Sequence, residues 1–210
     1  TPIWAHSLDY DNYLMDREKE VKEEPVAVFI DIYLPYHPDV LSRGLSIPLS
    51  PEKYYSLLCR YFDYVEAQLG LEVMVAAHPR SRYDEQKELY QGRQIITGNT
   101  VDLVRKSKLV ILHYSAAVNY PVLYGKPINF ITIDSLIGTV FGKKIELYAS
   151  LLGKTPVEIN ENPKIDLKQE LLVDEDRYAV FKRNYIKKDG SEEKLYWTIV
   201  KNTIQALHDK

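Results

Sequence analysis

Two apolar segments of strand length, each followed at once by polar residues, limit most strongly what this chain can fold into. The first, 72–77, runs into the sequence His-Pro-Arg-Ser-Arg at 78–82. The second, 109–113, runs into Tyr-Ser-Ala-Ala at 114–117. Strands that are apolar on both faces are typical of a parallel sheet covered by helices on both sides. In such a sheet, ligands bind at the carboxyl ends of the strands, where these polar residues lie.

Further strand-like runs alternate with helical patterns along the chain. The predicted strands are 26–32, 72–77, 94–97, 109–113 and 128–133, and the predicted helices are 51–70, 84–90, 101–106, 116–124, 136–152, 174–185 and 192–208. This alternation predicts an α/β fold, a Rossmann-like parallel sheet of about five to six strands with helices on both faces, plus C-terminal helices.

The same pattern divides the chain into three regions. Residues 1–24 are polar and acidic, carry no core signal, and are predicted to be a linker or interdomain segment. Residues 25–160 form the predicted Rossmann-like domain. Residues 161–210 are predicted to be C-terminal helices that pack on that domain.

Composition argues against several classes of protein. The formal net charge of −3 gives no general attraction for nucleic acid or an anionic membrane, so we expect no nucleic-acid partner and at most peripheral membrane association. The chain has no apolar run near the roughly 18 residues that span a bilayer. A single cysteine, Cys59, cannot form an internal disulfide, and the start of the chain lacks signal-peptide features. These observations predict a cytoplasmic protein, free or at the inner face of the membrane.

The first polar cluster carries His78, Pro79, Arg80 and Arg82. Pro79 restricts His78 to an extended conformation, which ends the strand and directs the imidazole out of the sheet edge. A histidine there can donate to a phosphate oxygen or protonate it as it departs. Arg80 and Arg82 can grip a phosphate or carboxylate with two hydrogen bonds. The alternative is a capping histidine beside two solvated arginines.

The second polar cluster contains Ser115 and Ala116 at the start of a predicted helix. Small residues let a ligand approach the free backbone N–H groups of a first helical turn, which favour an anion. The alternative, that Ser115 is the N-cap, is compatible with this function because both use the same donors. Since no glycine-rich loop precedes the helix, the sequence contains neither a Walker loop nor a dinucleotide fingerprint.

A third segment, at the end of the first predicted strand, carries Asp31 and a second His-Pro pair at His37. These side chains either line the same cleft or belong to a proline-stiffened loop, and the sequence favours neither alternative. No cluster of His, Cys, Asp or Glu has metal-ligand spacing, so no metal is expected.

Three features, in this order along the chain, resemble a known family. They are a strand ending in His-Pro, a strand about 35 residues later ending in Ser, and the sequence Leu-Tyr-Gly-Lys-Pro-Ile at 123–128. They are similar to the C-terminal, donor-binding half of GT-B glycosyltransferases, and more narrowly to bacterial sialyltransferases, polysialyltransferases and capsule Kdo transferases. Those enzymes use CMP-activated sugars. The resemblance covers about residues 26–135 and implies that His78 and Ser115 hold the CMP phosphate.

Two departures from the family pattern bear on function. UDP-sugar enzymes of this fold often bind ribose through a Glu on the helix after the fourth strand, and the stretch 116–121 contains none, which disfavours a UDP-sugar donor. The family also has two Rossmann-like halves, with the general base in the N-terminal half, whereas this chain has one. The resemblance therefore implies a missing N-terminal domain, and a fragment that binds its donor without turnover.

The resemblance implies the nucleotide-sugar-binding half of an inverting, metal-independent glycosyltransferase. The expected donor is CMP-sialic acid or a related CMP-ulosonic acid, and the expected acceptor is a glycan of a bacterial surface polysaccharide. In this interpretation Arg80 or Arg82 meets the sugar carboxylate. Two alternatives stay open: an epimerase-like or glycerophosphotransferase-like enzyme that uses UDP sugars or related donors, and a non-catalytic α/β binding module with a vestigial pocket.

Overall fold

A computed structural model describes residues 3–83, 87–163 and 165–208. In it the chain folds around a six-stranded parallel sheet. The strands are β1 (Val26–Ile30), β2 (Glu72–Ala77), β3 (Ile95–Thr97), β4 (Leu109–Leu112), β5 (Ile128–Thr132) and β6 (Val157–Glu158). Their order in the sheet is β3-β2-β1-β4-β5-β6, and every pairing is parallel. The predicted α/β fold class with its Rossmann-like parallel sheet is confirmed.

Helices flank this sheet and connect its strands. The α-helices of the described residues are α1 (Leu8–Asp16), α2 (Pro38–Ser42), α3 (Pro51–Leu69), α4 (Thr100–Lys106), α5 (Asn119–Leu123), α6 (Val140–Leu151), α7 (Leu167–Glu170), α8 (Glu175–Phe181) and α9 (Tyr196–His208). In that part of the chain, none of them combines the length and the apolar character needed to cross a bilayer.

The core lies where the sheet meets its longest helix. Every residue of β1, β4 and β5 is buried, which explains why these strands are apolar on both faces. Helix α3 starts where the Ser50 hydroxyl accepts the Lys53 N–H at 3.3 Å, with Pro51 in the first helical position. Its apolar stripe buries Tyr54, Leu58, Tyr61, Phe62 and Val65. The start of the helix follows the sequence prediction.

The structure corrects several predicted boundaries. The predicted helix 136–152 is a 3₁₀ turn over Asp134–Leu136 followed by α6, because Gly138 adopts a φ of +76° and Thr139 caps a new helix. Strand β6 was not predicted, since two residues are too few for a periodic pattern. Of the predicted helix 84–90, residues 84–86 lie outside the described residues, and Lys87–Tyr90 form a 3₁₀ turn.

The two ends of the chain pack on each other and on the domain. Tyr10 of α1 is 2% exposed, and its hydroxyl donates to the Glu193 carboxylate at 3.1 Å. The buried His6 places Nε2 2.7 Å from the Lys194 carbonyl oxygen. The Asn119 side chain of α5 donates to the Asp9 carboxylate at 2.7 Å. Much of the N-terminal segment is thus held in place, while its role as an interdomain connection stays a prediction.

Helix α6 approaches the preceding turn closely through Gly142. A Cβ atom at this buried position would lie 2.3 Å from the Leu136 carbonyl oxygen, a backbone atom that cannot move aside as the end of a flexible side chain can. We therefore expect Gly142→Ala to lower the free energy of unfolding by about 1–3 kcal/mol through overpacking. This expected destabilisation is opposite to the usual effect, because alanine normally stabilises a helix interior by about 1 kcal/mol relative to glycine.

Urea denaturation of both proteins measures this difference. The control is Lys143→Ala at the neighbouring exposed position, expected within about 0.5 kcal/mol of the wild type. A Gly142→Ala protein as stable as the wild type would contradict the close approach.

Candidate functional site

A cavity of about 610 Å³ opens at the carboxyl ends of β1, β2 and β4. Its walls come from the loops that follow these strands and from one face of α6. The strand order of the sheet reverses between β1 and β4, because the chain builds outward from β1 in one direction and then from β4 in the other. The cavity therefore lies at the topological switch point, where open α/β sheets bind their ligands.

Four of the residues singled out in the sequence line this cavity together: His37, His78, Ser115 and Ala116. They come from the loops after three different strands, so the topology alone brings them together. Pro79, Arg80 and Arg82 are exposed and, in the described part of the chain, are not part of the cavity wall. Asp31 is buried and does not line the cavity.

The two histidines lie side by side, with their ring centroids 4.8 Å apart. In each His-Pro turn, Nδ1 accepts the backbone N–H two residues later, from Asp39 for His37 and from Arg80 for His78, both at 3.1 Å. A nitrogen that accepts a hydrogen bond carries no proton, so the neutral ring holds its proton on Nε2. Both imidazoles are thereby fixed as Nε2–H donors.

Both histidine pKa values are lowered. For His78 the main cause is partial burial, followed by the nearby His37 and the Arg80 charge. Burial is again the main cause of the lowered pKa of His37. The charge of Asp39 opposes this decrease, and the charges of Arg80 and Lys144 add to it. A lowered pKa favours the neutral ring at neutral pH, so each ring provides one hydrogen-bond donor to a ligand.

Arg80, which does not line the cavity, forms an ion pair with Asp39, which does. Its guanidinium donates two hydrogen bonds to the Asp39 carboxylate, at 3.0 and 2.9 Å. The pair is about half exposed, but its fork geometry is the strong form of this contact. It also joins the two His-Pro loops and lowers the pKa of Asp39. The expectation that Arg80 or Arg82 binds a ligand stays a prediction.

Ser115 caps the 3₁₀ turn Ala116–Val118, which continues into α5. Its backbone is extended, with φ −166°, and Oγ accepts the Ala117 N–H at 3.1 Å. A hydroxyl that accepts one hydrogen bond can still donate its own proton to a ligand. The capping role and the ligand-binding role therefore coexist at Ser115, as the sequence suggested.

Sequence reasoning missed two basic residues that line the cavity, Arg43 and Lys144. Lys144 lies on α6, and its Nζ is 5.2 Å from the centre of the Tyr114 ring. Arg43 follows α2 and is close enough to Asp39 to lower the pKa of that carboxyl. The position of Lys144 in the sequence could have indicated its role. A helix that follows a strand starts at the sheet edge where the strand ends, and this is the edge at which the cavity opens.

Asp31 has a structural position that the sequence did not reveal. It is 3% exposed, and its carboxylate accepts the Tyr33 N–H at 2.8 Å and the Tyr83 hydroxyl at 2.5 Å. Tyr33 leads into the loop of His37, and Tyr83 ends the loop of His78. Through these two hydrogen bonds Asp31 connects both histidine loops to the end of β1. Burial raises its pKa from 3.8 to about 6, although the hydrogen bonds from Tyr83 and Tyr33 oppose the increase.

His113, at the end of β4, is a satisfied core histidine. It is fully buried, with Nε2 2.9 Å from the Tyr54 hydroxyl and Nδ1 2.7 Å from the Ile131 carbonyl oxygen. Within 3–83, 87–163 and 165–208, no three residues of the metal-binding types lie close enough to hold an ion. That the protein needs no metal stays a prediction.

Comparisons with known proteins add little to this geometry. No family model and no curated protein matches the chain. Three chains of solved structures match it, among them the beta Kdo 2,4 transferase KpsC of Thermosulfurimonas dismutans. The TM-score is 0.35 and the identity 17%, over 59% of this chain and 44% of that one, so the match spans less than half of that protein's length. Such a likeness assigns no function, and the site is interpreted from its own residues.

The raised pKa of Asp31 predicts a pH-dependent stability. In the unfolded chain this carboxyl ionises near 3.8, whereas the folded protein keeps its proton to about pH 6. Between these values the unfolded state binds fewer protons, so the contribution of Asp31 to stability falls as the pH rises. We expect the stability of Asp31→Asn relative to the wild type to increase by about 2 kcal/mol from about pH 4 to pH 7.

Denaturant unfolding of both proteins over this pH range measures the effect. The exposed Asp134 provides the control, since Asp134→Asn should track the wild type at each pH. A constant difference between Asp31→Asn and the wild type would show that the buried carboxyl ionises normally.

Proposed function

We propose that this chain is the nucleotide-sugar-binding half of an inverting glycosyltransferase. Its donor would be CMP-sialic acid or a related CMP-ulosonic acid, and its acceptor a glycan of a bacterial surface polysaccharide. The observation that supports the proposal best is that His78 and Ser115 line one cavity at the switch point of the sheet. The resemblance assigns these two residues to the phosphate of the donor, and their positions in one cavity fit that assignment.

The chemistry proposed for His78 follows from its tautomer. Since Nδ1 accepts the Arg80 N–H, the Nε2–H is directed to a ligand. Donation to a phosphate oxygen stabilises the negative charge that develops as CMP departs, and the ring keeps its proton, because loss of that proton from a neutral imidazole would leave an imidazolate. The hydroxyl of Ser115 holds the same phosphate from the adjacent loop. In this proposal hydrogen-bond donors and nearby cations stabilise the leaving group without a metal.

The rim of the cavity supports the proposal of a second, N-terminal domain. Leu45, Val140 and Leu147 line the cavity yet remain 40, 46 and 55% exposed. Apolar side chains grouped around a polar cavity are typical of a surface that another part of a protein covers. In this proposal the second domain covers the cavity and supplies the general base and the acceptor site. The chain alone then binds its donor without transferring the sugar.

Calorimetric titration with CMP, and with UDP for comparison, tests the proposal. We expect the wild type to prefer CMP, and His78→Ala to weaken CMP binding about tenfold or more, because a hydrogen bond to a charged phosphate is lost. Ser115→Ala should weaken it in the same direction. The exposed His208 of α9 provides a matched control, and His208→Ala should bind as the wild type does.

The other outcomes identify the alternatives. A preference for UDP would indicate the epimerase-like class on the same fold. Binding of neither nucleotide would contradict the donor-binding proposal and favour a module whose pocket holds no nucleotide.

A further inference from the structure

The cavity contains a second group of donors that the phosphate assignment does not use. His37, Arg43 and Lys144 belong to the loop after β1 and to α6, whereas His78 and Ser115 follow β2 and β4. The charge of Lys144 lowers the pKa of His37, so these two side chains are close to each other. For His78 the charges that act are those of His37, Arg80 and Asp39. Arg80 and Asp39 act on both histidines, and Lys144 is the cation that acts on His37 and not on His78.

The second group is suited to an anion. His37 is fixed as an Nε2–H donor by the Asp39 N–H, and Lys144 and Arg43 supply positive charge in the same cavity. Asp39 also lines the cavity, but both of its oxygens accept hydrogen bonds from Arg80. The carboxylate of the cavity wall is thereby neutralised, and the cations of the cavity remain in excess.

We infer that His37, Lys144 and Arg43 form a second anion subsite, for a carboxylate attached to the carbon that carries the phosphate ester oxygen. The inference rests on the proposed function, in which the phosphate lies at His78 and Ser115. Because the two imidazole centroids are 4.8 Å apart, two anionic groups joined through one oxygen and one carbon can contact both rings. The anomeric carbon of a CMP-ulosonic acid has this arrangement.

A carboxylate fits this subsite better than a second phosphate. Ile32, Leu34, Val140 and Phe141 give the cavity apolar walls, which offer no partner to additional phosphate oxygens. Since Arg80 is engaged by Asp39, it is not the residue that meets the sugar carboxylate in this inference. The subsite therefore replaces the sequence-based expectation for that carboxylate with Lys144 and His37.

Two small phosphate esters separate the subsites experimentally. In 2-phosphoglycolate a carboxylate sits on the carbon next to the ester oxygen, and ethyl phosphate lacks it. By calorimetry we expect the wild type to bind 2-phosphoglycolate about tenfold more tightly than ethyl phosphate, the effect of one charge-assisted hydrogen bond. Lys144→Gln should remove most of this advantage, because it weakens 2-phosphoglycolate binding far more than ethyl phosphate binding. His37→Gln should act in the same direction.

Lys143→Gln is the matched control, because it removes the same charge from the neighbouring residue, which does not line the cavity. Equal effects of Lys143→Gln and Lys144→Gln would mean that only bulk charge matters and would overturn the subsite. Both lysines are exposed, so neither change should impair folding.

The remaining outcomes distinguish this inference from the proposed function. Ethyl phosphate binding with no advantage for 2-phosphoglycolate overturns the carboxylate subsite alone. A larger gain for pyrophosphate over phosphate, lost in Lys144→Gln, would assign the second anion as a phosphate and also overturn it. If the protein binds neither ester nor CMP, the proposed function fails together with the subsite.

Discussion

The arrangement of the cavity depends on one buried carboxylate, that of Asp31. It lies at the end of β1, the strand at which the sheet order reverses, and its two oxygens accept from Tyr33 and Tyr83. Each of these residues belongs to a loop that carries a cavity histidine, so one side chain fixes two loops that are far apart in sequence. A residue with φ +53°, such as Tyr33, is strained unless its surroundings hold it, and the hydrogen bond to Asp31 does so. The cost is a desolvated acid, which is why the pKa of Asp31 is raised.

The two His-Pro turns orient their histidine side chains through the same local hydrogen bond. Proline has no N–H, so the first available backbone donor after the histidine belongs to the residue that follows the proline. In both turns Nδ1 of the histidine accepts that donor. The side chain is thus oriented and its tautomer is set by three consecutive residues, without help from the rest of the fold. The fold then places the two turns beside each other, because β1 and β2 are neighbours in the sheet.

Sequence patterns predicted the parts of the site that depend on strands. The apolar runs at β2 and β4 and the polar residues after them were sufficient to place His78 and Ser115 at one sheet edge. The contribution of Lys144 was missed because the pattern of 136–152 read as one helix, and the break at Gly138 and Thr139 sets which face of α6 meets the cavity. The positions of Asp31 and Arg80 depend on hydrogen bonds between loops, namely Asp31 with Tyr83 and Arg80 with Asp39. Loop-to-loop contacts of this kind leave no periodic signal in a sequence.

The ion pair between Arg80 and Asp39 makes the preference of the cavity for anions depend on salt concentration. Asp39 lines the cavity, and its charge is masked because the Arg80 guanidinium covers both carboxylate oxygens. If Arg80 turned toward an anionic ligand, it would leave the Asp39 carboxylate exposed, and that carboxylate would repel the ligand. Arg80 therefore cannot bind the anion and mask the charge of Asp39 at the same time. Because the pair is about half exposed, dissolved ions compete with it, and high salt weakens the shield as well as the attraction of the cavity. With the proposed anion in the cavity, discrimination between anionic and neutral ligands would therefore depend on the surrounding electrolyte as much as on the residues that touch the ligand.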